Sequence, residues 1–261
     1  MHATERESLI LAAMEPAGFV SYRALEAQLA ASPATIRRDL ARMVEAGLIA
    51  RVHGGAKRVE RDEGADNHPL HLAGTPFDLA ITLNLAKKQA IGRAAAALVT
   101  PGEGIMMDGG TTTFQMCPHL DGLDCQVLTN SLHIVSALLG QPGTRLLVPS
   151  GSVFREQNII LAPAGEDSMP RFHAPKLFMG AAAVGPQGVM QADVILVAAE
   201  RRLIDRAEQV ILMVDSSKFA SSSGAIVCGL DEVDVLVTDA GISPAMAEAV
   251  TAAGVRLVVA G

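Results

Sequence analysis

The chain has 261 residues, of which 49% are hydrophobic and 19% charged, and its formal net charge is −7. That is too apolar for a disordered chain, and the length suggests one large domain or a large plus a small one. No apolar run exceeds about six residues (Ala94 to Val99), Glu5, Arg6 and Glu7 interrupt the N-terminus, and Cys117, Cys125 and Cys228 form no paired pattern, so a membrane span, a secretory leader and a disulfide framework are excluded and a cytoplasmic location is expected.

Charge is unevenly spread. Residues 1–61 carry nine Lys or Arg against seven Asp or Glu, and within 31–61 the balance is seven to three. A small basic segment joined to a large acidic body suggests a polyanion-binding module attached to something else. Thr4 and Glu7 form a capping box ahead of Leu9, Ile10, Ala13 and Met14 at helical spacing, and Gly18 ends that helix. Ser21 is suited to cap a second helix bearing Leu25 and Leu29. Ser32 and Pro33 open a third, with Ser as the cap and Pro at the first helical position. Two short helices joined by a tight turn make a helix-turn-helix.

The third helix, Pro33 to about Ala46, puts Ile36, Leu40, Met43 and Val44 on one face. Thr35, Arg38 and Arg42 fall on the other, with Arg37 at the flank. Such a helix can lock to its neighbours and offer guanidinium forks to phosphates or to the acceptor edge of guanine. After Gly47, Leu48–Val52 alternates like a strand, His53-Gly54-Gly55 turns, and Ala56–Val59 returns. This hairpin wing, tipped by His53, Lys57 and Arg58, suits the backbone or minor groove of duplex DNA.

Residues 4–57, and above all TIRRDL followed by GLIARVHGGA, resemble the DNA-binding domain of DeoR-family bacterial transcriptional regulators. The resemblance implies that Ser32, Thr35, Arg37, Arg38, Arg42, His53, Lys57 and Arg58 form a duplex-binding surface.

Residues 61–76 are polar, carry Gly64, Pro69, Gly74 and Pro76, and read as a linker between domains at 1–60 and 77–261. His68 and His71 lack a third ligand nearby, so neither a metal site nor a cofactor is expected. Beyond the linker, a helix over Asp78–Leu98 precedes apolar runs at Gly104–Met107, Gln126–Leu128, Arg145–Val148, Lys176–Met179, Val210–Val214, Val233–Val237 and Val255–Val259. Helical patterns separate them at Thr113–Leu120, Leu132–Leu139, Asp193–Ala207 and Pro244–Ala253. The alternation predicts an α/β domain with an open, mostly parallel sheet. Ligands bind such sheets outside the carboxyl ends of the strands.

The residues that follow the strands share one character. Asp108-Gly109-Gly110-Thr111-Thr112-Thr113 enters a helix, as does Thr129-Asn130-Ser131. Pro149-Ser150-Gly151-Ser152 and Asp215-Ser216-Ser217-Lys218 follow two more. Glycines allow close backbone approach, hydroxyls and helix N-termini favour an anion, and Lys218 supplies an ammonium, which together suit a phosphorylated sugar. No G-x-G-x-x-G and no G-K-[ST] is present, so a dinucleotide or Walker-type site is unsupported.

DGGTTT, TNS, a strand ending in FMG, the segment Glu200–Ile204, and DSSKF followed by VTD also resemble the DeoR effector-binding domain, so the likeness extends over residues 4–260. It implies the fold of ribose-5-phosphate isomerase. It also implies a repressor of carbohydrate utilisation that answers to a phosphorylated sugar through Asp108, Gly109, Gly110, Thr111, Thr112, Thr113, Thr129, Asn130, Ser131, Gly151, Glu200 and Lys218. Two positions depart from the family pattern: Ala174-Pro175-Lys176 lacks an expected Asp, and Ser150 stands where a second Gly is usual. Both are expected near the pocket. A homo-oligomer, dimer or tetramer, follows from the resemblance and from the spacing of operator half-sites. Two other readings remain: a sugar-phosphate isomerase with Asp108 or Glu200 as base and Lys218 steadying an enediolate, and an architectural DNA binder whose body only oligomerises.

Overall fold

The computed structural model describes residues 6, 9, 10, 13, 19–21, 24, 25, 29, 31–45, 49–52, 55–58, 70, 71, 77–155, 157–161, 170, 172 and 174–261. The chain divides into two compact units, residues 1–66 and 67–261. The expected linker therefore straddles the division, and its Leu70–His71 is a short strand that pairs with Ser222–Ser223 of the second unit.

In the first unit, helix α1 (Pro33–Glu45) packs beside a three-stranded antiparallel sheet of β1 (Phe19–Ser21), β2 (Ile49–Val52) and β3 (Gly55–Arg58), with β3 in the middle. The expected β2–β3 hairpin is present. β1 adds a strand ahead of the expected second helix: Ser21 pairs with Gly55, and Ala24 and Leu25 are helical. Three residues are too short a run for alternation to declare a strand. Ile36, Leu40 and Met43 of α1 are buried with Ile10, Val20, Leu25, Leu29, Ile49 and Ala56, and Val44 lies against them, so the apolar face read from spacing is the face that packs. The Thr4–Glu7 capping box and Gly18 lie outside the described residues.

The second unit is built on seven parallel strands: β5 (Gly104–Met107), β6 (Gln126–Thr129), β7 (Arg145–Leu147), β10 (Ala174–Met179), β13 (Ala207–Met213), β16 (Val235–Asp239) and β17 (Arg256–Ala260). Their spatial order is β17-β16-β13-β10-β5-β6-β7. The chain thus winds outward from β5 through β6 to β7, returns to β10, and winds the other way. The winding reverses between β5 and β10, the point at which open α/β sheets open a crevice at their carboxyl ends.

Successive side chains of the central strands enter opposite layers. Ile105, Met107, Phe178, Ile211 and Met213 join one core, under helix α3 (Leu85–Ala96) and helix α4 (Leu132–Leu138). Met106, Leu177, Met179 and Leu212 join the other, with Leu203 and Ile204 of α5 (Val194–Ile204) and Val250 of α6 (Pro244–Ala252). Strands buried on both faces have no polar side to show, which is why they read as plain apolar runs. Cys117, Cys125 and Cys228 are free and buried.

The expected helix over Asp78–Leu98 is divided: a short helix α2 spans Phe77–Ala80, and residues 81–84 turn before α3. The expected helix over Thr113–Leu120 is a 3₁₀ segment, Thr113–His119, with Pro118 inside it. Proline removes a donor and clashes with the preceding turn, so the tighter form is the compatible one. Two small antiparallel sheets went unread. The hairpin β8 (Ser152–Phe154) with β9 (Ile159–Leu161) is one, and β11 (Ala183–Gly185), β12 (Gly188–Gln191) and β15 (Ala225–Cys228) form the other.

Candidate DNA surface and effector site

Ser32 caps α1: its Oγ accepts from Thr35 N at 3.2 Å and lies 2.9 Å from Thr35 Oγ1. Thr35 is half-buried, whereas Arg38 and Arg42 are exposed on the side of α1 away from the core. Asp39 sits between these arginines in sequence yet is 3% exposed. Arg6 grips it with two bonds, Nε to Oδ2 at 2.7 Å and Nη2 to Oδ1 at 3.1 Å, and Arg42 Nη2 adds a third at 3.0 Å. Arg42 is therefore tethered, while its side chain stays 49% exposed. The acid of TIRRDL ties the reading helix to the helical segment at Arg6, a role that charge counting along the chain did not disclose. His53 lies outside the described residues, as do the side chains of Arg37, Lys57 and Arg58.

In the second unit the strands run parallel, so the turns after β5, β6, β7 and β13 open on one edge of the sheet. At the switch point Asp108 is 4% exposed. Asn130 spans two of the turns: its Nδ2 donates to Asp108 Oδ1 at 3.2 Å, and its Oδ1 accepts from Gly109 N at 3.0 Å. Thr113 Oγ1 lies 2.8 Å from Asp108 O and 2.9 Å from Gly110 O and donates to them. Thr129 Oγ1 accepts from Ser131 N, and Ser131 Oγ caps α4 by accepting from Ile134 N. Thr113, Thr129 and Ser131 thus hold the turns in shape, and Thr112 is buried beside them. Gly109 is required by space: a Cβ there would lie 2.5 Å from Ile159 Cγ2 and 3.3 Å from Ser131 Cβ.

Ile159 belongs to the β8–β9 hairpin, which closes on the same turns through Leu132 N to Asn158 O at 2.9 Å and Ile160 N to Asn130 O at 2.8 Å. Gly151 and Ser150, ahead of that hairpin, are exposed. Ala174-Pro175-Lys176 begins β10 at the opposite edge of the sheet, where Lys176 Nζ pairs with Glu103 at 2.8 Å. Their expected nearness to the pocket is corrected: a parallel strand places its first residues at the edge away from the turns that follow it.

Lys88, a residue the sequence did not single out, is 3% exposed and projects from α3 to this edge. Its Nζ donates to Ala80 O at 2.6 Å and to Thr111 Oγ1 at 2.9 Å. Gly92, one turn further along, lets the helix lie directly on Gln115, because a Cβ would come 2.5 Å from Gln115 C. Burial holds the Lys88 ammonium below the usual lysine range; Asp215 opposes that shift and Lys218 adds to it. Asn84, in the left-handed region at φ 53°, donates from Nδ2 to Asp215 Oδ1 at 2.9 Å. Asn tolerates that conformation better than most side chains. Asp215 is 1% exposed and its Oδ2 has no hydrogen-bond partner among the described residues. Lys87 Nζ bonds Ser216 Oγ at 2.8 Å and Asp239 Oδ2 at 3.1 Å. No local pattern singles Lys88 out, because its partners Ala80 and Thr111 lie 8 and 23 residues away.

Glu200, on α5, is 3% exposed; Gln191 Nε2 donates to its Oε1, while Oε2 has no partner among the described residues. Burial, then the Asp108 charge, raises its pKa well above the usual carboxylate value. Burial likewise pushes Asp108 up to about 6, against bonds from Asn130 and Gly109 that lower it. The structure thus joins Asp108, Asn130 and Glu200 in one buried acidic corner. Thr111, Lys88, Asp215 and Lys218 make a neighbouring group with two ammoniums.

Residues 6–62 match the DeoR-like helix-turn-helix domain, and residues 83–240 match the DeoR C terminal sensor domain. The HTH-type transcriptional regulator UlaR of Escherichia coli (strain K12 / DH10B) is 27% identical over 258 residues, covering 98% of this chain and 99% of that protein. The regulator of the same name from Shigella boydii serotype 18 matches to the same extent. Among solved structures, ribose 5-phosphate isomerase A from Methanocaldococcus jannaschii aligns at 16% identity over 52% of this chain and 55% of that one, with a TM-score of 0.38. The eIF2B beta chain from Chaetomium thermophilum aligns at 15% identity over 58% and 48%, also with a TM-score of 0.38. With a DeoR head at its start and a DeoR sensor matched over more than half its length, the chain belongs to the DeoR family of helix-turn-helix transcriptional regulators.

Proposed function

We propose that this protein represses a carbohydrate-utilisation operon, binding duplex operator DNA through α1 and the wing, and that a phosphorylated sugar held at the sheet edge modulates that binding. Arg38, exposed on α1, reads the duplex. Arg42, tethered to Asp39, presents its exposed part to the phosphate backbone, and Ser32 and Thr35 flank them. Lys88, Lys218, Thr111 and the amides of Gly109 and Gly110 take the phosphate, and the acidic corner takes the sugar. The observation that carries the reading is Lys88: a buried ammonium aimed at the hydroxyl of a glycine-rich turn, on the edge where such sheets take ligands. The protein acts as a homo-oligomer, because paired heads match half-sites roughly one helical turn apart. Effector binding then shifts the balance between head arrangements only if it binds one of them better.

The test is a gel-shift titration on duplexes that the protein itself selects from a random library, with and without a panel of phosphosugars. Arg38→Ala is expected to lose about tenfold or more in affinity, and the right phosphosugar to change the wild-type midpoint. Unchanged binding by Arg38→Ala would remove α1 as the reading element.

A second reading, an isomerase-like enzyme, draws on the buried Asp108 and Glu200. Its cations have other partners, however: Lys88 Nζ bonds Ala80 O and Thr111 Oγ1, and among the described residues no ammonium bonds Asp108 or Glu200. Turnover of ribose 5-phosphate that disappears in Glu200→Gln would favour it.

A further inference from the structure

Two buried carboxylic acids share one side of the sheet at its reversal, Asp108 two residues beyond Met106 and Glu200 one turn before Leu203 and Ile204 of the same core, and no cation bonds either among the described residues. Among the described residues Glu200 Oε2 has no partner and Oε1 accepts from Gln191. Among the described residues Asp108 Oδ1 receives the Asn130 amide, whose own oxygen takes the Gly109 N–H. The charged groups around them are otherwise engaged. Arg201, next to Glu200, turns to Glu232 at 2.6 Å, to Asp205 at 3.3 Å and to Val227 O. Cys228, on the strand packed against α5, has its thiol pushed up to about 12, chiefly by burial, and stays neutral. Lys88 and Lys218 stand with Asp215 and Thr111 at the neighbouring turn.

We propose that the effector is a phosphorylated amino sugar, its ammonium held by Asp108 and Glu200 while its phosphate lies toward Lys88 and Lys218. The inference rests on the sugar-phosphate reading above and narrows it. Ionised carboxylates only accept hydrogen bonds, and an ammonium only donates them. Two like charges buried together cannot both ionise cheaply, so the empty pair keeps a proton. A neutral hydroxyl would leave that proton in place. A primary ammonium supplies both the missing donors and the missing charge, and charge-assisted bonds of this kind are about twice as strong as neutral ones. Binding of the amine therefore expels the shared proton, and affinity rises with pH across the range in which the pair titrates.

The experiment uses the full-length protein and matched hexose 6-phosphates: glucose, galactose and mannose, their 2-amino counterparts, and the N-acetylated amines, which keep the bulk and lose the charge. Dissociation constants are measured by calorimetry at pH 5.5, 6.5 and 7.5. The phosphate's own second ionisation is common to all members and cancels in the ratios. For the series that binds, the amine is expected to exceed its neutral and acetylated partners by about tenfold at pH 7.5, an advantage that shrinks to about twofold at pH 5.5. In Glu200→Gln, with Asp108→Asn as a second variant and circular dichroism as the check on folding, the ratio is expected to collapse to about one. Neutral sugars binding as tightly as amines would overturn this inference and leave the sugar-phosphate reading standing. A panel in which no phosphosugar binds would overturn both.

Discussion

Asp108 shows how one residue can store free energy for a site. Its carboxyl is pushed up to about 6 from an ordinary value of 3.8, so the folded protein holds this proton more tightly than the unfolded chain does. The stability that Asp108 contributes is thus fully present below the unfolded value and is lost as pH rises through about 6. Two pKa units correspond to about 3 kcal/mol. Asp108→Asn keeps the Oδ1 acceptor for Asn130 and removes the charge, so its melting temperature at pH 7.5 is expected to rise by about 8 °C. Its melting curve between pH 5 and 7 should also flatten against the wild type; an unchanged slope would place the titration elsewhere. Gly109 makes the opposite case, in which shape alone decides. Gly109→Ala puts a methyl 2.5 Å from Ile159 Cγ2 and is expected to cost about 1–3 kcal/mol, read as a lower denaturation midpoint in urea.

The unit of function in the head is a helix with its anchors. α1 can present its arginines outward because Ile36, Leu40 and Met43 seat its other face and because Asp39 fastens it to Arg6. Asp39→Ala takes from the Arg6 guanidinium, whose side chain is 14% exposed, the carboxylate that it grips with two bonds, and loss of one side of such a pair costs about 3 kcal/mol. The expectation is a destabilised head and lost operator binding, with the effector affinity of the sensor unit unchanged. A variant that kept full operator affinity would show that the anchor is dispensable. In the sensor, α3 is the corresponding element. Gly92 brings it onto Gln115, and that approach delivers Lys88 to Thr111.

For the molecule as a whole, sensing requires the ligand to prefer one state. A phosphosugar at one hundred times its dissociation constant adds about 2.7 kcal/mol to the state it binds. That is expected to raise the melting temperature of the sensor transition by about 8 °C. Lys88→Met fills the space of the buried stem without the ammonium, and is expected to abolish the shift while the free protein still folds cooperatively. A shift of full size in Lys88→Met would remove Lys88 from the phosphate end.

Much of this was legible before any fold was known, for a physical reason. A face of Ile36, Leu40 and Met43 at helical spacing, apolar runs punctuated by helices, and glycines beside hydroxyls at strand ends are local patterns, set by neighbours within a few residues. The short antiparallel strands, the turn dividing α2 from α3 and the 3₁₀ form around Pro118 escaped that reading, because each is decided by what packs against it. The site divides in the same way. TIRRDL and DGGTTT are legible as a helix with a cationic face and a glycine- and hydroxyl-rich turn, the features on which the proposed DNA and phosphate contacts rest. Only the tertiary structure could tell that Asp39 is an anchor, that Lys88 reaches the sheet edge from 20 residues before Asp108, and that Glu200 and Asp108 are buried on one side of the sheet with no bonded cation among the described residues. Burial and charge pairing between distant segments depend on which strands lie side by side, and that order is a property of the whole sheet rather than of any stretch of chain.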